Sequence, residues 1–343
     1  MKVYPFFIPH AGCPFRCRFC QQQEVSGHSV APSPTQITEE LSFLLPEQGD
    51  GEVAFYGGSF TLLDQALQKD YLQRVRPFIT GGQVSGIRIS TRPDALDMEQ
   101  LSLLQQEGVT TVELGCQSFS AKVLKATGRG HGPLSAGRAV MRLRSRSLQV
   151  GLQLMPGLPG AEPLEALQSL RQALDLEPDF LRIYPTVVLR GTLLEGDFHQ
   201  GRYRPLALDE AVDLCAEMLW HCREASVPVI RLGLQATAAL VPGQALVAGP
   251  YHPAFGALVR SRLWRRALDA LLTGPSAVEV MVHPADLSDA LGQRRDNWHY
   301  LEDRGQRLTL RCDEGIARDH FKIDGRSYAL QDAASFQPIS TLL

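Results

Sequence analysis

Short segments rich in Val, Ile, Phe and Tyr alternate with longer segments of helical period from the N terminus to about residue 235. This alternation is typical of proteins in which a crossover helix follows each strand. Parallel strands joined in this way form a sheet that curls into a full or partial barrel. We therefore predict an α/β fold over residues 1–235, a partial (β/α)6-type TIM-like barrel. The predicted strands are Val3–Ile8, Glu52–Tyr56, Gly86–Ser90, Thr110–Gly115, Leu148–Leu154, Phe180–Tyr184 and Val227–Leu232.

The clearest helical pattern runs from Leu208 to Glu224, where apolar residues recur at spacings of three and four. Beyond it, residues 233–249 are predicted to form an irregular connection, and residues 250–343 a small C-terminal α+β module. The helix of this module is predicted from Pro253 to Leu272. Its strands are predicted at Val278–His283, Leu308–Cys312 and His320–Leu330.

Composition excludes several functional classes. Lys and Arg number 34 against 37 Asp and Glu, and the formal net charge of −3 disfavours a general polyanion-binding protein. No stretch approaches the roughly 18 apolar residues that a membrane span needs. The first residues also lack the charged and then apolar profile of a secretory signal. We expect a cytoplasmic protein without a membrane partner.

Three of the seven cysteines, Cys13, Cys17 and Cys20, lie just after the first predicted strand with the spacing C-x3-C-x2-C. Thiolates are the ligands that iron-sulfur clusters and zinc prefer. Structural zinc needs a fourth ligand, for which His10, His28 or a distant thiol is available. A 4Fe-4S cluster held by three cysteines instead leaves one iron open to a small molecule. The spacing favours the cluster, and both interpretations remain open at this point.

The triplet, with Phe19 before its last cysteine, resembles the cluster motif of the radical S-adenosylmethionine (radical SAM) superfamily. The stretch from Tyr56 to Thr61, which contains Gly57, Gly58 and Ser59, is similar to the glycine motif that binds the methionyl amino group in that family. The resemblance implies two cofactors, a 4Fe-4S cluster on the three cysteines and S-adenosylmethionine on its open iron. It also implies a low-potential electron donor such as flavodoxin or ferredoxin.

Segments after the later strands resemble the subgroup that contains the Elongator catalytic subunit and the oxygen-independent coproporphyrinogen oxidases. By this resemblance, cofactor-binding roles fall on Phe19, Gly57, Gly58, Ser59, Thr91, Arg92, Gln117 and Gly157. Catalytic roles, in contact with cofactor or substrate, fall on Arg129, Arg182 and Tyr184. The acetyltransferase domain of the Elongator subunit has no counterpart in this sequence, so only its radical chemistry is carried over.

The resemblance implies an enzyme that cleaves S-adenosylmethionine reductively to a 5′-deoxyadenosyl radical. Its substrate stays open, and a tRNA base is one candidate, with tRNA then a partner. Arg138, Arg142 and Arg146 on one helix, and Arg260, Arg262, Arg265 and Arg266 on another, are the basic groups that an RNA could contact. Two alternatives remain: a haem-binding chaperone that keeps the scaffold, and a zinc-stabilised protein without catalysis.

Overall fold

The fold was analysed in a computed structural model, which describes residues 2–27, 30–162, 164–237, 240, 243–272, 276–334 and 336. Seven parallel strands form the main sheet, in the order β1-β2-β3-β4-β5-β6-β8. The partial β/α barrel is thereby confirmed. The strands are β1 Val3–Ile8, β2 Glu52–Gly57, β3 Gly86–Thr91, β4 Val109–Gln117, β5 Gln149–Leu154, β6 Phe180–Ile183, β7 Val188–Leu189, β8 Val229–Leu232, β9 Leu246–Ala248, β10 Ser276–Val282, β11 Gln306–Cys312, β12 His320–Ile323 and β13 Arg326–Ala329.

Helices separate the strands of the main sheet, and further helices surround a smaller sheet near the C terminus. The helices are α1 Gln22–Ser26, α2 Pro34–Leu44, α3 Gln65–Thr80, α4 Met98–Gln106, α5 Ala121–Ala126, α6 Leu134–Arg144, α7 Glu165–Leu174, α8 Leu193–His199, α9 Leu208–Glu224, α10 Phe255–Leu271, α11 Leu287–Leu291, α12 Asp296–Asp303 and α13 Leu330–Ala333. No helix in the described part of the chain is long and apolar enough to cross a bilayer.

Side-chain caps fix where several helices begin. Ser33 forms a reciprocal capping box with Gln36 at the start of α2, and Asp64 accepts hydrogen bonds from the first turn of α3. Asp97 and Thr192 cap α4 and α8 in the same way. Each cap satisfies backbone N–H groups that otherwise lack a partner, so a short polar loop is enough to start each helix.

The small sheet has four strands in the order β11-β10-β12-β13. The segment predicted as one strand, His320–Leu330, forms two, and the single-strand prediction is wrong. Asp324 and Gly325 both have positive φ, 47° and 82°, and they turn the chain into an antiparallel hairpin. A two-residue turn of this kind matches the twist of the flanking strands.

The connection predicted as irregular, residues 233–249, contains one short strand. β9 pairs with β7 in an antiparallel ribbon outside the main sheet, with Val188 opposite Ala248. Neither strand exceeds three residues, too few for a periodic pattern in the sequence. The ribbon connects the loop after β6 to the chain that enters the small module. Residues 238–239 and 241–242 of this connection lie outside the described residues, as do 273–275, 335 and 337–343 of the predicted module.

One apolar core extends from the barrel to the small sheet. It runs through α9 and α10 and includes Cys215 and Cys222, both fully buried as the helical pattern predicts, together with Trp264 and Phe321. Polar contacts follow the same route, since the Trp220 indole N–H donates to the carbonyl of Gln331 at 2.8 Å. The described part of the small module therefore shares its core with the barrel.

Candidate functional site

The three clustered cysteines lie in the loop that follows β1, at the carboxyl edge of the sheet. Both ends of this loop are fixed at His10: the backbone N–H of Cys13 donates to the His10 carbonyl at 3.2 Å, and the backbone N–H of Gln22 donates to His10 Nε2 at 3.0 Å. The backbone N–H of Cys20 donates to the Cys17 carbonyl at 3.1 Å. The loop, residues 10–22, is called the cluster loop below.

Cys13, Cys17 and Cys20 are unpaired thiols close enough to influence one another. Burial, with added repulsion from Cys17 and then Cys13, raises the pKa of Cys20 to about 12. No group of three His, Cys, Asp or Glu side chains within the described ranges is arranged to share one metal ion. The assignment of these thiols to a cluster therefore still rests on their spacing in the sequence.

In the part of the chain that the structure describes, most candidate fourth ligands of a zinc site are either engaged within the cluster loop or buried in the core. His10 Nε2 already accepts the Gln22 N–H, so its ring serves to close the loop. Among the other thiols, Cys215, Cys222 and Cys116 are buried in the core. His28 lies outside the described residues.

An arginine and an aromatic residue hold the second half of the cluster loop in place. Arg18 Nε donates to Asp197 Oδ2 of α8 at 3.0 Å, and the Arg18 backbone N–H donates to Thr127 at 3.0 Å. Phe19 is buried in a small apolar cluster with Leu158 and Tyr203, against Cys17 and Cys20. These contacts show that the position of the cluster loop depends on α5, α8 and the loop after β5.

The glycine motif at the end of β2 lies against the first half of the cluster loop. The Gly58 N–H donates to Ile8 at 3.0 Å and the Ser59 N–H to Ala11 at 2.9 Å. A Cβ on Gly58 would lie 2.0 Å from the Ala11 carbonyl oxygen, and Gly57 has a φ of 104°. The Ser59 hydroxyl lies 3.4 Å from Cys13 Sγ. The missing side chains thus permit contact between two backbones, and Ser59 reaches the first cysteine.

Thr91 and Arg92, at the end of β3, are buried and already have partners within the protein. The Thr91 hydroxyl lies 2.6 Å from that of Thr61. Arg92 Nη2 lies 2.9 Å from Asp94 Oδ2, and the guanidinium also donates to the Arg129 carbonyl. Its carbon Cζ lies 4.7 Å from the centre of the Phe15 ring. Arg92 therefore links the cluster loop to the segment between α5 and α6.

Gln117, the last residue of β4, and Arg129, between α5 and α6, bring their side chains together near Gly115. Arg129 is 8% exposed; its Nη1 lies 3.5 Å from Cys17 Sγ, and its Nη2 donates to the Gly115 carbonyl. Gln117 has a φ of 69°, and its amide oxygen accepts from Gln153 at 3.1 Å. The third contact of Arg129, His131, has its pKa lowered to about 4 by burial and by the arginine.

Arg129 therefore carries a buried positive charge whose partners are a carbonyl, a thiol and a neutral imidazole. No described carboxylate lies within ion-pair distance of its guanidinium, whereas Arg88 has two such partners and Arg92 and Arg182 have one each. A buried charge is costly when it is not neutralised. The position beside Cys17 is thus suited to an anionic group.

Arg182 and Tyr184 face the concave side of the sheet and belong to one network of charged and hydroxyl groups. Arg182 Nε lies 3.0 Å from Glu113 Oε2, Nη1 donates to the Tyr184 hydroxyl at 3.2 Å, and Nη2 donates to the Tyr56 hydroxyl at 2.6 Å. Glu113 also accepts from Arg88 at 2.9 Å. Two of the three predicted catalytic residues therefore lie together inside the barrel, and the third, Arg129, lies at the cysteines.

Sequence reasoning missed Tyr56 and Glu113 as members of this network. Burial and the neighbouring Glu113 carboxylate raise the pKa of Tyr56, and burial raises that of Tyr184, so both hydroxyls stay protonated. The sequence did contain a signal for this network, because charged residues occur within strands that are otherwise apolar. Burying such residues is costly unless they are paired, as these are with one another across the sheet.

Gly157, in the loop after β5, lies at the rim of the barrel. Its φ is 82°, and a Cβ there would lie 2.9 Å from the Leu206 side chain. Its carbonyl accepts from the Tyr203 hydroxyl at 2.7 Å. This loop is therefore fixed by the chain that precedes α9, and the backbone N–H of Met155 donates to Gln117 at 2.8 Å.

The basic groups singled out in the sequence are mostly engaged within the protein. Arg142 donates to the Leu96 carbonyl and Arg146 to the Gln105 amide oxygen. On α10, the basic residues face acids or a ring; the pairs are Arg260 with Asp289, Arg262 with Asp209 and Asp213, Arg265 with Asp296, and Arg266 with Phe336. These contacts weaken the case for an RNA-binding face at α10.

The fold and the site together define a class, a partial β/α barrel with a cysteine-bearing loop after its first strand. Comparison with known families identifies the class: the pattern of the Radical SAM superfamily matches residues 7–173, and that of the Radical_SAM C-terminal domain matches residues 178–265. The chain belongs to the radical SAM superfamily, whose enzymes use S-adenosylmethionine and a 4Fe-4S cluster.

Individual relatives fall in the subgroup that the motifs indicate. A tRNA uridine(34) acetyltransferase from Dehalococcoides mccartyi (strain CBDB1) is 27% identical over 243 residues, or 60% of this chain and 53% of that protein. Heme chaperone HemW from Escherichia coli (strain K12) is 34% identical over 193 residues, or 53% of this chain and 50% of HemW. The chain thus spans about half the length of each.

Among solved structures, the archaeal Elp3 of Methanocaldococcus infernus has a similar fold. It matches with a TM-score of 0.61 and 22% identity, over 78% of this chain and 63% of that one. At this identity the likeness concerns the fold alone. The expected subgroup is nevertheless supported by relatives of both kinds, Elongator-like and HemW-like.

Proposed function

We propose that this chain is a cytoplasmic radical SAM enzyme that holds a 4Fe-4S cluster on Cys13, Cys17 and Cys20. When bound, the cluster supplies an electron and S-adenosylmethionine supplies the radical that abstracts hydrogen from a substrate. The observation that carries this proposal is the buried Arg129 guanidinium, which lies 3.5 Å from Cys17 Sγ and has no described carboxylate partner. An anionic cluster and the cofactor carboxylate would neutralise this charge.

The other residues predicted to bind the cofactor are proposed to act in two ways. Some contact the cysteines or the cofactor beside Arg129, and others shape the surrounding loops. Ser59, at 3.4 Å from Cys13 Sγ, is placed to donate to a cysteine sulfur. Gln117 presents its amide beside Arg129, where it can orient a bound cofactor. Phe19, Gly57, Gly58, Thr91, Arg92 and Gly157 shape the loops around the site through their contacts within the protein, and their contact with the cofactor stays a prediction.

For the substrate, we propose a planar ring such as a tRNA base, bound on the concave face. Phe7 and Tyr56 present adjacent aromatic rings there, with centres 6.2 Å apart. Arg182 is fixed by Glu113, and the Tyr184 hydroxyl, which accepts from Arg182, keeps its own proton to donate. A ring with carbonyl or imino groups could stack on the aromatic wall and accept a hydrogen bond from Tyr184. The similarity to a tRNA uridine(34) acetyltransferase supports this choice.

The test is anaerobic reconstitution with iron and sulfide, followed by dithionite and S-adenosylmethionine. The wild-type protein is expected to form 5′-deoxyadenosine. The variant Arg129→Met should retain its iron but bind S-adenosylmethionine more weakly by about 10- to 100-fold, because a charge-assisted hydrogen bond is lost. Arg129→Lys, which keeps the charge, should be affected less. A cluster-loaded wild-type protein that forms no 5′-deoxyadenosine contradicts the proposal.

The similarity to HemW supports a second candidate, a haem-binding chaperone. Haem titration of the reconstituted protein distinguishes it from the first. Stoichiometric haem binding together with no cleavage of S-adenosylmethionine would favour the chaperone, and the reverse result would favour the enzyme.

A further inference from the structure

We propose that the outer face of the cluster loop, together with α5 and α6, is the docking surface for an acidic one-electron carrier of the flavodoxin or ferredoxin class. This inference rests on the proposed function, because it assumes a cluster that must be reduced. The surface is defined by Phe15, Arg16, Lys125, Leu134, Arg138 and Met141, and is called the α5–α6 face below.

The cluster loop is accessible from outside at this face. Phe15, between the first two cluster cysteines, is 44% exposed, and the adjacent Arg16 is exposed as well. The Phe15 ring lies against Gly130, where a Cβ would lie 2.5 Å from the ring. The opposite, concave side of the sheet holds the network around Glu113, where the substrate is proposed to bind. An electron carrier that approaches the α5–α6 face would therefore come near the cysteines without occupying the substrate side.

Contacts between backbones bring α5 and α6 to the same face. The Arg18 N–H donates to the Thr127 carbonyl at 3.0 Å, one residue after the end of α5, so Lys125 in its last turn lies beside the cluster loop. α6 begins at Leu134, four residues after Gly130. Arg138 follows one helical turn later, about 6 Å along the helix axis.

The α5–α6 face combines exposed apolar side chains with basic ones. Leu134 is 75% exposed and Met141 is 68% exposed, and Arg138 lies between them on the outer side of α6. Exposed apolar residues among separate charges are typical of transient protein interfaces, whereas a phosphate backbone requires mainly basic and polar contacts. The composition of this face therefore favours a protein partner over RNA.

The charges of the α5–α6 face are of one sign and are available. Arg16, Lys125 and Arg138 form no ion pair with a described residue, whereas two carboxylates of the neighbouring loops, Asp94 and Glu162, are paired with Arg92 and Lys122. A chain whose net charge is −3 thus presents a locally positive surface around its cluster loop. Such a surface attracts an acidic partner and accelerates its association.

The redox step is a transfer of one electron. The reduced carrier loses one electron, and the oxidised cluster gains it, without transfer of a proton or a group. Both proteins are released unchanged in covalent structure. A weak, short-lived complex suits this exchange, and complexes of electron-transfer proteins are small in buried area.

The experiment uses the reconstituted full chain, a purified bacterial flavodoxin and the double variant Lys125→Glu/Arg138→Glu. We expect the variant to bind flavodoxin about tenfold more weakly at low ionic strength, with the difference lost as salt screens the charges. Affinity is measured by titration calorimetry, and the rate of cluster reduction by reduced flavodoxin is followed by visible absorbance. The matched control is Arg307→Glu, an exposed arginine of β11 without a described ion pair.

Iron content, and the yield of 5′-deoxyadenosine with excess dithionite, should be the same in the variant and the wild type. The proposal is overturned if the double variant binds flavodoxin as the wild type does, if Arg307→Glu weakens binding equally, or if the variant loses only affinity for tRNA. It is also overturned if the variant loses its iron, because the charges would then serve the loop itself. Failure of the proposed function appears separately, as a wild-type protein inactive with dithionite.

Discussion

At the scale of single residues, small changes near the cluster loop have large consequences because backbone packs against backbone there. Gly58 lies where the end of β2 meets the cluster loop, and a Cβ would lie 2.0 Å from the Ala11 carbonyl oxygen. A flexible side chain could move away from such a contact, but two hydrogen bonds fix the Ala11 and Ile8 backbone. Backbone packing alone therefore requires glycine at position 58, whether or not this residue also contacts a cofactor.

The variant Gly58→Ala is expected to lower the free energy of unfolding by about 1–3 kcal/mol and to reduce iron incorporation, because the cluster loop must move. Denaturant unfolding and iron analysis measure the two effects. Gly132→Ala is the matched control, since a Cβ at Gly132 would have no atom within 4 Å. Full iron content in Gly58→Ala would show that the loop tolerates the displacement.

At the scale of elements, the cluster loop is held by its neighbours. Asp197 of α8 binds both Arg18 of the loop, at 3.0 Å, and Arg202 just beyond the helix, at 3.0 Å. Hydrogen bonding from Arg18 lowers the pKa of the Asp197 carboxyl. The charged carboxylate is thus part of what fixes the second half of the loop, although Asp197 lies far from the cysteines in sequence.

This ion pair makes loop stability depend on pH. Because the pKa of Asp197 is lower in the folded protein, its contribution is complete above the unfolded value of about 3.9 and is lost as the pH falls through the folded value. Denaturant unfolding of wild type and Asp197→Asn, compared from about pH 6 to about pH 2, should show a difference that narrows in acid. The exposed Asp50→Asn, which removes a carboxylate without a described ion pair, serves as control, and a constant difference across this range would contradict the assignment.

At the scale of the whole molecule, the barrel and the small module share one core. Trp264 of α10 is 1% exposed, belongs to the same apolar core as Cys215 of α9, and lies against Phe321 of β12 with ring centres 5.4 Å apart. Arg262 of the same helix pairs with Asp209 of α9 at 3.0 Å. The division into residues 1–235 and 250–343 stays a prediction, and the shared core implies that both parts unfold together.

The variant Trp264→Ala should therefore destabilise the whole chain by about 3–5 kcal/mol in a single transition. Urea unfolding followed by circular dichroism and by fluorescence of Trp220 and Trp298 tests this, because these residues lie in α9 and α12. Phe43→Ala, at an 89% exposed position, is the control and should have little effect. Two separate transitions would show that the module is an independent domain.

The sequence by itself determined the structural features that depend on residues close to one another along the chain. The seven strands of the main sheet, the limits of α9 and the loop that carries Cys13, Cys17 and Cys20 follow from short-range periodicity and spacing. The sequence did not predict the β7–β9 ribbon or the turn at Asp324. Each of these features involves only two or three residues, too few for a periodic pattern.

Only the tertiary structure decided which polar groups meet. Tyr56 and Glu113 are 57 residues apart, Arg182 and Tyr56 are 126 apart, and Arg18 and Asp197 are 179 apart. The two contacts of Tyr56 depend on the curvature and register of the sheet, and that of Arg18 depends on the packing of α8 against the cluster loop. A linear pattern records which residues are charged, but pairing is a property of distance in space. The sequence therefore identified the cysteines and Arg129 as candidates, and the fold placed beside the cysteines a buried arginine for which the described residues offer no carboxylate partner.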